Sequence, residues 1–217
     1  MNQTEQNRTK NEKKPRERTK TRILLAATNL FGEQGFAKTT ISQIARKAGV
    51  TPGCVYKHFQ RKEEIYYVTI SYHIKTDMPP MEEALFGIQG ALNQLRKYLW
   101  DYVRSMTENR EFAKMVFLQM KTSQHFIRTE SYKDVQVFYR KIIDILQMGQ
   151  KSGELDPVIN PYFARVLVLG SLEHIMIRWL LNDCSFDVFE QLDGCLKIIE
   201  DGLRIKTYSK SSPDSGE

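Results

Sequence analysis

Residues 39–64 read TTISQIARKAGVTPGCVYKHFQRKEE, and the punctuation of this stretch decides the fold. Thr40 places a side-chain oxygen where a helix needs an N-cap, and Gln43 stands three residues on, the spacing of a capping box. Ile41, Ile44, Ala45 and Ala48 recur at helical steps and leave Arg46 and Lys47 outward. Gly49 ends that helix and Val50 packs into the turn. Thr51 and Pro52 open the next helix with a cap and a proline at the first helical position. Here Val55 and Phe59 point inward, while Gly53, Cys54, Tyr56, Lys57 and His58 are left outward. Two short helices across a tight turn, the second with a narrow, hydrogen-bonding end, are built to stand in a DNA major groove.

The charge distribution agrees. The net charge of the 217 residues is +6, yet residues 1–62 hold 14 Lys or Arg against 4 Asp or Glu, and the remainder 18 against 22. A basic head on a mildly acidic body implies that the head meets a polyanion and the body has another task. No run of eighteen apolar residues marks a membrane helix, and the polar, basic start has no apolar core of a secretory signal. Cys54, Cys184 and Cys195 lack metal-type spacing, and an odd count argues against a disulfide framework. A reducing, cytoplasmic setting is expected.

Working outward, residues 1–16 are almost without apolar side chains and are expected to form a disordered basic arm. A first helix is expected from Glu17, with Ile23, Ala26, Ala27, Leu30 and Phe31 on one face and a left-handed glycine cap at Gly35. A fourth helix starts near Lys62 and is expected to end before Met78-Pro79-Pro80. Helical spacing continues in a fifth helix through Leu92, Leu99 and Met106, and in a sixth over about 110–121. A seventh, framed by Ser131 and Asp134, closes at Gly153. Asn160-Pro161 caps an eighth helix to about Leu181, and a ninth spans about 186–206 before a polar tail. The expectation is an all-α chain of about nine helices. It divides into a three-helix, homeodomain-like helix-turn-helix unit at 17–62, a ligand-binding and dimerisation unit at 63–207, and a disordered tail at 208–217.

Each residue of the head has a chemical task in a DNA complex. Small Gly53 and Cys54 let the backbone approach the groove, and Lys57 can donate to guanine O6 and N7. Tyr56 and His58, the cap residues Thr40 and Thr51, and Lys62 at the next helix start can donate to phosphates. Singly these are ordinary surface or core residues; the constellation is specific.

Residues from about Arg18 to Ile70 resemble the DNA-binding domain of the TetR family of transcriptional regulators. The match runs through LLAATNLFGEQGF, TTISQIARKAGVTPGCVYKHF and RKEEIY. The resemblance implies a homodimer on a palindromic operator, repressing transcription until a small ligand enters the second domain. It implies phosphate contacts at Thr40, Thr51, Tyr56, His58 and Lys62, and groove readers at Gly53, Cys54 and Lys57. Cys54 and Lys57 depart from the family's usual residues, so the base preference rests on them.

In the body, Leu167, Gly170, Ser171, His174 and Arg178 on the eighth helix, and Val188, Leu192, Cys195, Ile199 and Gly202 on the ninth, form stripes suited to a four-helix dimer interface. Burial against the same subunit would use the same stripes. The middle helices are rich in aromatics and methionines, which line adaptable cavities and also fill ordinary cores. Tyr102, Met106, Met115, Phe138 and Tyr139 are the candidate effector contacts, with Glu173, Arg178 and Trp179 as polar or orienting groups. The segment LVLGSLEHIMIRWLL at 167–181 resembles the family branch that senses fatty acyl thioesters; a generic lipophilic or aromatic effector is the other candidate. An enzyme fares badly, with four scattered histidines, no nucleophile motif, no metal cluster and no phosphate-binding glycine loop. No catalytic residue, metal or cofactor is expected. The remaining alternative is an architectural DNA binder, which would bind random duplex nearly as well as an operator.

Overall fold

The structure, a computed structural model, describes residues 3–120 and 125–205, with side chains from Pro15 onward. The first helix, expected from Glu17, begins at Gln3, so the backbone of 3–16 is helical where a disordered basic arm was expected; within that arm, side chains are described for Pro15 and Arg16. The expected tail at 208–217 lies outside the described residues altogether. Among the described residues there are nine α-helices and no strand: α1 (Gln3–Lys38), α2 (Ile41–Ala48), α3 (Pro52–Tyr56), α4 (Lys62–Glu83), α5 (Ala91–Glu108), α6 (Arg110–Lys114), α7 (Glu130–Lys151), α8 (Pro161–Leu181) and α9 (Val188–Leu203).

The head folds by local signals. Thr40 and Gln43 complete a capping box, with the Gln43 N–H donating to Thr40 Oγ1 at 3.2 Å and the Thr40 N–H to Gln43 Oε1 at 2.8 Å. Gly49 takes the left-handed conformation, φ 65°, that ends α2 cheaply. Arg22 on α1 braces the same corner by donating to the carbonyls of Ala48 and Gly49 at 2.5 and 3.1 Å. Gly35 does break α1, but with φ 82° and ψ 164°, an extended conformation open to glycine rather than the expected left-handed cap. One apolar core runs from Ile23 on α1 to Leu203 on α9, so head and body share it.

Three further expectations change. α4 runs through Pro79 and Pro80 to Glu83 instead of stopping before Met78. The prolines strip N–H donors from the carbonyls of Lys75 and Thr76, but these residues and both prolines are exposed, where water serves the carbonyls. Met78 and Met81, on the buried side, hold the helix to the core. The sixth helix is α only to Lys114 and continues as a π-helical segment, Met115–Met120. That wider turn buries Met115, Val116, Phe117 and Met120 together. Finally, α7 is capped at Thr129, and Ser131 is buried within it instead of framing its start.

The start of α5 depends on a residue far along the chain. Its N-cap, Gly90, has no side chain to offer, and the Glu154 carboxylate accepts from the Ala91 and Leu92 N–H groups instead. A carboxylate on free N–H groups also complements the helix dipole. Glu154→Ala is expected to cost about 1–2 kcal/mol, as loss of an N-cap does. In a chain of this size that lowers the thermal midpoint by roughly 3–6 °C, read by circular dichroism.

Candidate DNA interface and effector cavity

The outer surface of the head gathers the expected DNA residues. Thr51 accepts from the Cys54 N–H at 3.3 Å and so fixes the start of α3. The helical turn then carries Lys57, His58 and Phe59 on the carbonyls of Gly53, Cys54 and Val55. Val55 and Phe59 are buried, which turns Tyr56 and Lys57 outward; Tyr56 is 56% exposed. Thr40, Thr51 and Gly53 are exposed, and Cys54 and His58 half-buried.

Lys62 sits differently from a free surface lysine. Its Nζ donates to the carbonyls of Phe36 and Thr39 at 2.7 and 2.8 Å and lies 4.2 Å from the centre of the Phe36 ring. It thus clamps the α1–α2 junction and has one N–H left for a phosphate. Arg16 and Lys20 on α1 were missed as partners of this surface. Both bear on His58, whose pKa is lowered by burial first and by these two cations next, with Glu17 opposing. Nothing in the sequence pattern beyond the basic run pointed to that juxtaposition.

The body holds an apolar cavity walled by α4, α5, α6 with its π segment, and α7; cavity and mouth enclose about 570 Å³ of empty space. Much of that space is open to solvent or lies between packed atoms: the room for the centre of a water-sized sphere is about 50 Å³, so an occupant has to push the walls apart. Tyr102, Met106, Phe138 and Tyr139 line it. Met115 is fully buried but does not line it, and neither do Glu173, Arg178 or Trp179. Arg178 is exposed, and Trp179 is buried with the Arg110 guanidinium 5.5 Å over its ring. Glu173 acts on the wall from outside: burial first, and its charge among the next causes, raise the Tyr102 and Tyr139 hydroxyls, the latter to about 12.

The cavity residues that the sequence did not reveal lie mostly on α4. His73 stacks on Phe112 at 4.0 Å, and both line the cavity. Its Nε2 is 3.0 Å from Thr28 Oγ1 on α1. Because the Thr28 hydroxyl donates to the Leu24 carbonyl, the neutral ring donates from Nε2. Asp77 accepts from Ser105 Oγ at 2.9 Å at the edge where the cavity meets an open cleft bearing Asp101, Arg104 and Glu108. The π segment touches both sides of the joint: Val116 and Met120 line the cavity, and Gln119 donates to the Phe31 carbonyl of α1 at 2.8 Å.

Residues 23–67 match the family described as bacterial regulatory proteins, tetR family, and residues 74–202 match the YsiA-like protein, C-terminal region. The chain belongs to the TetR family. It is a DNA-binding transcriptional regulator with the all-α fold expected. Among relatives of this TetR-family regulator is HbdR of Aromatoleum sp. (strain CIB), an HTH-type transcriptional regulator 30% identical over 202 residues, covering 90% of this chain and 86% of the relative. The fatty acid metabolism regulator protein of Bacillus subtilis (strain 168) is 24% identical over 185 residues, covering 85% and 95%. The crystal structure of the transcriptional regulator FadR from Bacillus subtilis in complex with stearoyl-CoA superposes with a TM-score of 0.79 at 22% identity, over 85% of this chain and 99% of that one.

On the last two helices, one stripe must be corrected. Val188, Leu192 and Ile199 are buried at 3, 2 and 7% exposure against the subunit's own core. The cause is the tie to α5, whose Arg96 pairs with Asp193 at 2.8 Å and Glu200 at 2.9 Å and turns that face of α9 inward. The unpartnered apolar face is instead Phe163 and Leu167 of α8 with Ile198 of α9, around a groove that reaches Ser171, Cys195 and Gly202. Leu167, Gly170, His174 and Arg178 of the α8 stripe are exposed, and Ser171 is half-buried.

Proposed function

We propose that this regulator is a cytoplasmic homodimeric repressor, that α3 of each subunit reads one half of a palindromic operator, and that a lipophilic effector of the fatty acyl class releases it. The proposed division places DNA binding at 17–62 and effector binding with dimerisation at 63–207. One observation carries the reading: α4 is a single helix that starts against the head at Lys62 and forms a cavity wall at His73, Asp77 and Met81. An occupant pressing on α4, or on Phe112 and through it His73, acts on α1 through the Thr28 contact. The apolar wall favours an acyl chain, and the relatives named for fatty acid metabolism and bound to stearoyl-CoA support it. Exposed Phe163, Leu167 and Ile198 supply a face for a second copy, which a two-fold operator requires. Thr40, Thr51, Tyr56, His58 and Lys62 are the proposed phosphate contacts, Gly53, Cys54 and Lys57 the proposed groove readers, and catalysis has no part.

The test is fluorescence anisotropy of a labelled fragment from upstream of the protein's own gene, with random duplex as competitor. Binding is expected to favour the fragment by at least about 10³ and to fall when dodecanoyl-CoA is added. Equal affinity for random duplex overturns the sequence-specific reading, and indifference to acyl chains of any head group overturns the effector reading. Within that assay, exposed Lys57→Ala is expected to lose about 1–3 kcal/mol of discrimination at one or two operator positions with unchanged thermal stability. Unaltered operator preference in that variant removes Lys57 as a base reader.

A further inference from the structure

Among the described residues, no acid pairs with the guanidinium of Arg165 on α8. Its carbon lies 5.6 Å from the centre of the Tyr139 ring and 5.8 Å from that of Tyr162. Its Nε is buried without a hydrogen-bond partner. Among the described residues it makes no ion pair, whereas Arg96 and Arg104 are each tied to carboxylates. Ring faces attract the charge but accept none of its N–H groups, so a fork of donors suited to a planar anion is left unused. A buried donor without a partner is costly, and because Nε is sealed as it stands, an arriving anion meets the terminal nitrogens first and Nε once the side chain turns.

The position matters as much as the valence. Tyr139 is shared: it lines the cavity and it carries Arg165. Glu173 also acts on Tyr139, but it is already engaged. The far edge of the cavity has the opposite sign. There Asp77 stands with Glu108, beside an Asp101 that Lys97 and Arg104 already pair, and the Asp77 carboxyl is held above the usual range by burial first and by Glu108 as well, against the Ser105 hydrogen bond. The apolar cavity is therefore flanked by opposite charges: an anion is repelled at the α4–α5 edge and drawn past Tyr139 towards Arg165, which stands behind the lining.

We propose that Arg165 reads the anionic end of the effector, so that the cavity takes a lipophilic anion with its chain among α4–α7 and its charged head beside Tyr139 at α8. This rests on the effector reading above and adds the head-group class, the residue that selects it and the direction in which the ligand lies. A free fatty acid carboxylate and the phosphates of an acyl-CoA share the required chemistry. Because α8 also presents Phe163 and Leu167, the head group sits on a helix of the proposed dimer face.

The test uses the full chain and isothermal titration with dodecanoate, dodecanoyl-CoA and dodecan-1-ol below their aggregation limits. The wild type is expected to bind at least one anion roughly ten-fold or more tighter than the alcohol, the worth of a charge-assisted hydrogen bond. In Arg165→Gln that preference disappears while alcohol binding stays within about two-fold, which also reports an intact cavity; Arg165→Lys recovers part of the preference. Loss confined to dodecanoate identifies the carboxylate as the group read, and loss confined to dodecanoyl-CoA identifies the phosphates. An anion preference that survives in Arg165→Gln overturns the assignment to Arg165 and leaves the effector reading standing. Failure of the wild type to bind any of the three overturns the effector reading, and this inference with it.

Discussion

Gly32→Ala is expected to destabilise the protein by about 1–3 kcal/mol, although alanine is ordinarily the better helix residue by nearly 1 kcal/mol. Gly32 lies within α1 where that helix crosses α6. A Cβ added there would meet the Glu111 carbonyl oxygen at 2.4 Å and its Cα at 2.6 Å. Both are backbone atoms, so no rotamer change relieves the contact, and α1 and α6 must separate. Separation would strain the Gln119 hydrogen bond to the Phe31 carbonyl and unseat the Phe31 ring, which is fully buried edge-on to Tyr66 at 5.0 Å. The control is Gly194→Ala in α9, where an added Cβ meets nothing within 4 Å. That variant is expected to gain a few tenths to about 1 kcal/mol from propensity alone. Urea unfolding of the pair reads opposite shifts in midpoint; shifts of the same sign would mean that α1 and α6 do not touch so closely. The consequence for function follows from which helices are joined. α1 belongs to the head and α6 lines the cavity, so Gly32→Ala is also expected to weaken operator binding about ten-fold while acyl-chain binding changes little.

That joint was invisible in the sequence, and the reason is physical. Signals that act within four or five residues were legible: the Thr40–Gln43 box, the Gly49 stop, the Thr51-Pro52 start and the Asn160-Pro161 start all form as spaced. Features set by distant packing were not. The spacing that predicts an ordinary sixth helix cannot report that α1 and the cavity both pull on residues 115–120 and widen them into a π turn. Pro79-Pro80 looks like a stop because the lost hydrogen bonds are local, whereas the buried Met78 and Met81 that override them answer to the core. The cavity shows the same division. Aromatic and methionine content on α5 and α7 pointed to Tyr102, Met106, Phe138 and Tyr139, which do line it. It gave no reason to prefer α4 as a wall or Arg165 as its neighbour. Conversely, Glu173, Arg178 and Trp179 drew notice as polar or large groups in an apolar helix, and that helix lies outside the lining.

Acid is expected to unfold this protein through His73. The ring is buried, stacked between Phe112 at 4.0 Å and, edge-on, Tyr72 at 5.3 Å, and its proton on Nε2 is committed to Thr28. A second proton on Nδ1 would place a charge among apolar groups, and burial pushes the pKa from 6.5 down to about 4. The folded pKa lies below the unfolded one, so the unfolded chain takes up the proton first as pH falls. The stability tied to neutral His73 is therefore full above about pH 6.5 and drains between there and pH 4, by about 3 kcal/mol over the whole window. Asp77, four residues on, works in the opposite sense. Its raised pKa means that protonation relieves a cost in the folded state, so it offsets part of the loss at the acid end. The difference between wild type and His73→Phe isolates the histidine: phenylalanine keeps the stacking, and the Thr28 hydroxyl keeps its bond to Leu24. Urea midpoints at pH 7.5 and 4.5 are expected to diverge strongly for the wild type and by roughly one proton's worth less for the variant. Equal pH slopes in the two proteins would show that His73 is not buried against Phe112, and would remove the link between cavity wall and α1 on which the proposed release of DNA depends.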